Sequence, residues 1–305
     1  PFWNILWAES PHQVLSPIKH KQLKYNQGKE TMANTKQQKD TSKQELAEAK
    51  KNELSALINL EADAGAGAES MDKDDFAIPR LTILQALSPQ LKKKEGAYIE
   101  GAEEGQIFDA ISGTTRDGDE GINIIPVTYR KTFIEWKLRE NGGGFVSDHG
   151  KNGLGILSKC KKDDRGRDIL PSGNQLVATA EYFVMVLENG GFSPCVISMT
   201  SSQLKISRRW NTMMNQLRVA KSDGKGTFNP AMFYMTYLLQ TVPESGQKGD
   251  YFNWKITTHR PVLELPNGDE IYMACRDLRE SITTGDVKAA APSSDSGDES
   301  SDDPF

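Results

Sequence analysis

Strand-period patterns fill the middle of the chain, and helical ones are confined to a few stretches. Ile122–Tyr129 (INIIPVTY) is apolar and β-branched, and Thr132–Lys137 (TFIEWK) follows at once, before Asn141-Gly142-Gly143-Gly144 interrupts the run. Gln175–Leu187 is the longest strand candidate; it ends in the turn signal Asn189-Gly190-Gly191, with Cys195–Met199 as its return strand. Met232–Val242 and Tyr251–Thr258 predict a second hairpin across a polar loop containing Gly246 and Gly249. Between the hairpins, Ile206, Trp210, Met213, Met214 and Leu217 recur at helical spacing. Ser201 or Ser202 is placed to cap that helix, and Ser222-Asp223-Gly224-Lys225-Gly226 to follow its end. A short helix is expected near Tyr272–Glu280.

The first third reads differently. Lys43–Leu60 carries a weak helical pattern, and Ala64-Gly65-Ala66-Gly67-Ala68 reads as a flexible linker. Met32 is the first methionine, preceded by Lys29-Glu30, whose purine-rich codons suit a ribosome-binding site; residues 1–31 are therefore expected to be an upstream extension. The predicted organisation is a disordered region over 1–75, a folded domain over 76–288 and a disordered acidic tail over 289–305. Five or six strands with one inserted helix suit a mainly β domain, a small barrel of the oligonucleotide-binding type.

Charge is divided along the chain. Residues 32–121 hold 11 Lys and Arg against 18 Asp and Glu, residues 122–288 hold 22 against 17, and residues 289–305 hold five acids and no base. A chain with a net charge of −5 thus keeps its bases in one central segment, which is compatible with a nucleic-acid partner. The three cysteines (Cys160, Cys195, Cys275) are far apart and no C-x-x-C or H-x-x-H pair occurs, so neither a zinc site nor a disulfide framework is expected. No apolar run reaches the ~20 residues of a membrane span. Phosphate-binding, zinc-protease and serine-hydrolase motifs do not occur, so neither catalysis nor a cofactor is expected.

Four constellations carry candidate chemistry. Tyr129–Arg139 interleaves Tyr129, Phe133 and Trp136 with Arg130, Lys131, Lys137 and Arg139. In a strand, Lys131, Phe133, Glu135 and Lys137 share one face and Thr132, Ile134, Trp136 and Leu138 the other. One face can join the core while the other offers rings for stacking bases and cations for phosphates. A second strip holds Tyr251, Phe252, Trp254 and Lys255, with Arg260 nearby. For any single ring, barrel core is the commoner role. The loop with Lys159, Lys161, Lys162, Arg165 and Arg167 reads as a mobile basic flap, with a partly neutralised surface loop as the alternative. Lys205, Arg208 and Arg209 lie off the apolar stripe of the helix, where they either meet phosphates or face solvent.

The fourth constellation is the C-terminus. A lone terminal ring on an acidic tether adds nothing to packing but suits a peptide ligand, with Phe305 filling a pocket and Asp302, Asp303 and the carboxylate meeting bases. Asp302-Asp303-Pro304-Phe305 resembles the acidic tip of bacterial single-stranded-DNA-binding proteins, where an isoleucine usually precedes the proline, and the Phe-ending tails of phage counterparts. The body from Phe76-Ala77-Ile78-Pro79-Arg80 to Ser201–Trp210 is similar to phage single-stranded-DNA-binding proteins. The resemblance implies an oligonucleotide-binding barrel, no catalysis, and recruitment of polymerase, helicase or recombination proteins through Asp302, Asp303, Pro304 and Phe305. The expected role is coating single-stranded DNA in the cytoplasm of an infected bacterium, as a monomer or homo-oligomer. A single-strand annealing recombinase and a phage structural or assembly protein are the alternatives.

Overall fold

The computed structural model describes residues 62–71, 75, 77–188, 190–246 and 249–285. The expected helix over 43–60, the start at Met32 and the tail over 289–305 lie outside these residues. The chain divides into two compact units, Pro1–Met71 and Asp72–Phe305. In the first, the Ala-Gly run is a succession of turns: the N–H groups of Ala66, Ala68 and Met71 donate to the carbonyls of Asp63, Gly65 and Ala68.

The second unit is built on a curled half-barrel sheet. Its strands are β1 (Arg80–Ile83), β2 (Ile107–Asp109), β3 (Thr115–Arg116), β4 (Ile122–Trp136), β5 (Phe145–Asp148), β6 (Lys161–Lys162), β7 (Asp168–Ile169), β8 (Gln175–Glu188), β9 (Gly191–Met199), β12 (Met235–Gly246) and β13 (Gly249–Pro261). A separate two-stranded ribbon pairs β10 (Val219–Ala220) with β11 (Thr227–Phe228). The main sheet runs β13-β12-β4-β8-β9-β1-β2-β3, with β5 beside the far end of β4 and β6–β7 beside β8. Pairing is antiparallel except between β1 and β9.

The two strands predicted over residues 122–137 are one. β8 accompanies β4 from Asn123↔Leu187 to Trp136↔Gln175, so the polar stretch around Arg130 keeps a ladder partner throughout. A register shift between Pro126 and Thr128 accommodates the proline, which has no N–H to give the ladder. The return strand starts at Gly191, four residues earlier than predicted, because Phe192, Ser193 and Pro194 already face Leu187, Val186 and Met185.

Among the described residues three helices accompany the sheet, the inserted and closing helices that were expected and one more: α1 (Gly153–Leu157), α2 (Gln203–Gln216) and α3 (Gly268–Thr284). β8 is buried on both sides from Thr179 to Val186, so each face of the sheet needs a cover. On one face, Trp210 and Met214 of α2 pack over Tyr182, Val184 and Ile197. On the other, Ile271 and Cys275 of α3 meet Ile125, Val127 and Met185, while Leu278 and Ile282 meet Ile78, Phe183 and Val196. Ser202 does not work as the cap by the usual geometry. Ser202 has helical angles (φ −57°, ψ −30°) and makes no side-chain capping bond, since a cap needs extended backbone.

The sheet curls until the chain after β1 reaches β13. There the Gln85 side chain acts as a short strand: its Nε2 donates to the Phe252 carbonyl at 2.7 Å and its Oε1 accepts the Phe252 N–H at 2.9 Å. The loops before β2 and β4 seal the neighbouring stretch of β12. Thr241 N–H donates to the Gly118 carbonyl and Thr241 Oγ1 to the Gly105 carbonyl, at 2.9 and 2.5 Å. Gly105 (φ +84°) lies against the Phe252 ring and Gly118 against Thr241, with no room for a Cβ at either position.

Candidate nucleic-acid interface

The register confirms that Lys131, Phe133 and Glu135 share one face of β4 and Thr132, Ile134 and Trp136 the other. Both faces are buried at this end, which corrects the expectation of one open face. Phe133 packs with Leu170 and Leu176 under Ile156 and Leu157, and Gly153 of α1 lies against its ring. Trp136 clusters with Ile134 and Val177, and Phe145 of β5 meets it edge-on at 6.0 Å. These two rings are core. In the second strip Trp254 is buried, while Phe252 is half-buried with Gly105 against its ring. Lys255 and Arg260 are exposed on the same strand, and Lys137 is exposed just after β4.

Arg130 belongs to the fold as well. Glu181, fully buried, accepts Arg130 Nε at 2.5 Å on Oε2 and Arg80 Nη1 at 2.8 Å on Oε1. Arg130 Nη2 also reaches Asp148 at 3.2 Å. A buried carboxylate needs such partners, because unpaired burial of its charge costs several kcal/mol, on the order of 3–5 when one partner is lost.

The basic loop is more ordered than a flap. Lys161↔Ile169 and Lys162↔Asp168 pair as a small hairpin. Arg167 is buried, with Nε on Asp163 at 2.7 Å and Nη2 on Glu140 at 3.5 Å, and Lys162 meets Asp168 at 3.0 Å. Lys159, Lys161 and Arg165 point to solvent. Beneath them Glu135 accepts bonds from Asn174, His149 and Ser172. Burial pushes its carboxyl up, but these bonds outweigh burial and hold it below its ordinary range.

What the structure leaves together is a second part of the same sheet face. Tyr129 and Lys131 lie opposite Tyr182 and Ala180, between the α1-covered Phe133 and the α2-covered Tyr182. Lys131 is exposed, its Nζ 5.7 Å from the centre of the Phe133 ring. Tyr129 is half-buried, 5.0 Å from the Tyr182 ring, which is itself 4.3 Å from Trp210. Tyr182 Oη sits 2.7 Å from Ser207 Oγ and 2.9 Å from Asn211 Oδ1, which fixes α2 beside Tyr129. Lys205, Arg208 and Arg209 are exposed on that helix while Ser207 and Trp210 are buried.

The bases continue past the residues the sequence singled out. Residues 201–228 hold six bases and one acid, and Arg218, Lys221 and Lys225 in and beside the β10–β11 ribbon are exposed. The signal that finds them is net charge in a window of about one helix and one turn; aromatic interleaving passes over them. The tip residues Asp302, Asp303, Pro304 and Phe305 lie outside the described residues.

Among the described residues no three His, Cys, Asp or Glu side chains gather as a metal set, and no helix is long and apolar enough to cross a membrane. Comparison with curated proteins and with solved structures returns no match. Residues 47–288, which include every element of the sheet and all three helices, match one family throughout. The chain belongs to the Pam3 phage gp34-like protein family, and is a phage protein.

Proposed function

We propose that this phage protein binds single-stranded DNA with little sequence preference during phage replication and recombination, and catalyses no reaction. The observation that carries the reading is the exposed basic face of α2 (Lys205, Arg208, Arg209) beside half-buried Tyr129 and exposed Lys131, on a chain whose net charge is −5. Concentrating bases on one face of an acidic chain costs self-repulsion that a polyanion relieves. A ring open on one side adds sequence-independent stacking. On this reading the half-barrel serves as an oligonucleotide-binding-type platform in the host cytoplasm. Asp302, Asp303, Pro304 and Phe305 recruit polymerase, helicase or recombination partners.

Anisotropy of a labelled oligo-dT, titrated with the full chain, tests the proposal. Binding is expected to weaken steeply between about 50 and 200 mM salt, as phosphate contacts do, and a duplex of equal length to bind less tightly. Indifference to oligo-dT at low salt would refute it.

A further inference from the structure

The β10–β11 ribbon is too short to persist alone, with two cross-strand pairs, Val219↔Phe228 and Ala220↔Thr227. It is anchored at its root. Asn229 Nδ2 reaches the carbonyls of Met214, Asn215 and Leu217, each at 3.1 Å, and Arg218 Nη1 donates to Asn215 and Leu217 at 2.6 and 2.7 Å. Met214 already accepts the Leu217 N–H, while the carbonyls of Asn215 and Leu217 lie at the end of α2 where helical donors run out, so the clamp serves them and ties the ribbon's direction to the helix. The Arg218 charge suits the negative end of the helix dipole.

The tip carries the chemistry. Lys221 and Lys225 are exposed and form no ion pair among the described residues. The one acid between them, exposed Asp223, accepts the Lys225 N–H at 2.9 Å and pairs with neither ammonium. Phe228 is 46 % exposed, across the ladder from Val219, with no ring neighbour among the described residues. A rooted arm with two unpaired cations and an open ring, continuing a helix that already presents three bases, has the parts of a strand-holding finger.

We infer that the ribbon is a second contact for single-stranded nucleic acid: Lys221 and Lys225 neutralise phosphates that run on from α2, and the Phe228 ring stacks on a base. This rests on the function proposed above.

The test uses the full chain, oligo-dT and two variants. Lys221→Ala/Lys225→Ala is expected to reduce the slope of log affinity against log salt by about 1.4, at roughly 0.7 for each phosphate no longer neutralised. Phe228→Ala is expected to weaken binding roughly 5- to 150-fold with the slope unchanged. Ultraviolet cross-linking of the unaltered chain to oligo-dT should place an adduct within residues 218–229, independently of how the variants fold. If the unaltered chain binds while both variants keep its slope and affinity and no adduct maps there, the ribbon assignment is wrong and the general reading stands. If the unaltered chain does not bind, both fall. Binding of an acidic peptide in place of oligo-dT would make the ribbon a protein contact and overturn the assignment.

Discussion

Phe133 and Trp136 point to opposite faces of β4, yet both are core, because α1 and its following loop cover Phe133 while Trp136 packs with Ile134, Val177 and Phe145. Tyr129, four residues before Phe133 on the same face, is half-buried because α2 covers its neighbour Tyr182 instead. The two kinds of ring separate experimentally. Trp136→Ala should lower stability by about 3–5 kcal/mol, the usual cost of emptying an aromatic core site, read from denaturant unfolding. Tyr129→Ala should lower stability less, by about 1 kcal/mol for the ring pair with Tyr182, and weaken oligo-dT binding by about 1–3 kcal/mol. Equal binding losses from both variants, at equal stability, would mean the rings share one role. Alternation along the strand was legible in the sequence, and the faces are as read. Which face stays open depended on α1 and on the loop over 159–170, whose position no local pattern encodes.

At the scale of elements, the end of β4 is joined to the segment after β5 and the turn before β8 through one carboxylate. Glu135 accepts from His149 after β5 and from Ser172 and Asn174 in the turn before β8, so one carboxylate ties three segments. Its folded pKa is depressed, so its stabilisation is present above the unfolded value of about 4.3 and is lost as pH falls through the lower folded value. Stability of the unaltered chain should therefore drop more steeply below about pH 4.3 than that of Glu135→Gln, measured by thermal unfolding across pH. Parallel curves would exclude Glu135 as the acid-sensitive group. The strand pairs and α2 were readable from period-2 and helical spacing. α3 was read as half its length, since its polar first turn, Gly268-Asp269-Glu270, hides a helix start that follows Asn267 in the left-handed conformation (φ 57°). Arg167 and Arg130 looked like ligands for phosphate. Their acidic partners Asp163, Glu140, Glu181 and Asp148 are brought to them by pairing that lies up to 51 residues away in sequence.

Over the whole molecule, the cover on both faces of the sheet makes thiol chemistry a gauge of integrity. Burial pushes the Cys195 thiol up to about 12, beneath α2's face, and the Cys275 thiol on α3 equally to about 12. Cys160 is raised too, by burial and then by Asp168, but it is half-exposed. A thiol reagent at neutral pH should therefore modify at most one cysteine in the folded chain and all three in denaturant. Prompt modification of two or more in the native state would contradict the double-sided cover.

Gln85 stands apart from that cover, joining the chain after β1 to β13 through one residue. A cylinder stitched by a full ladder would have to surrender many bonds to widen. Here the rim is held by side-chain bonds at Gln85 and by the bonds of Thr241 to Gly118 and Gly105, each worth about 1 kcal/mol net. The rim of this half-barrel is therefore far easier to part than the long β4–β8 seam behind it.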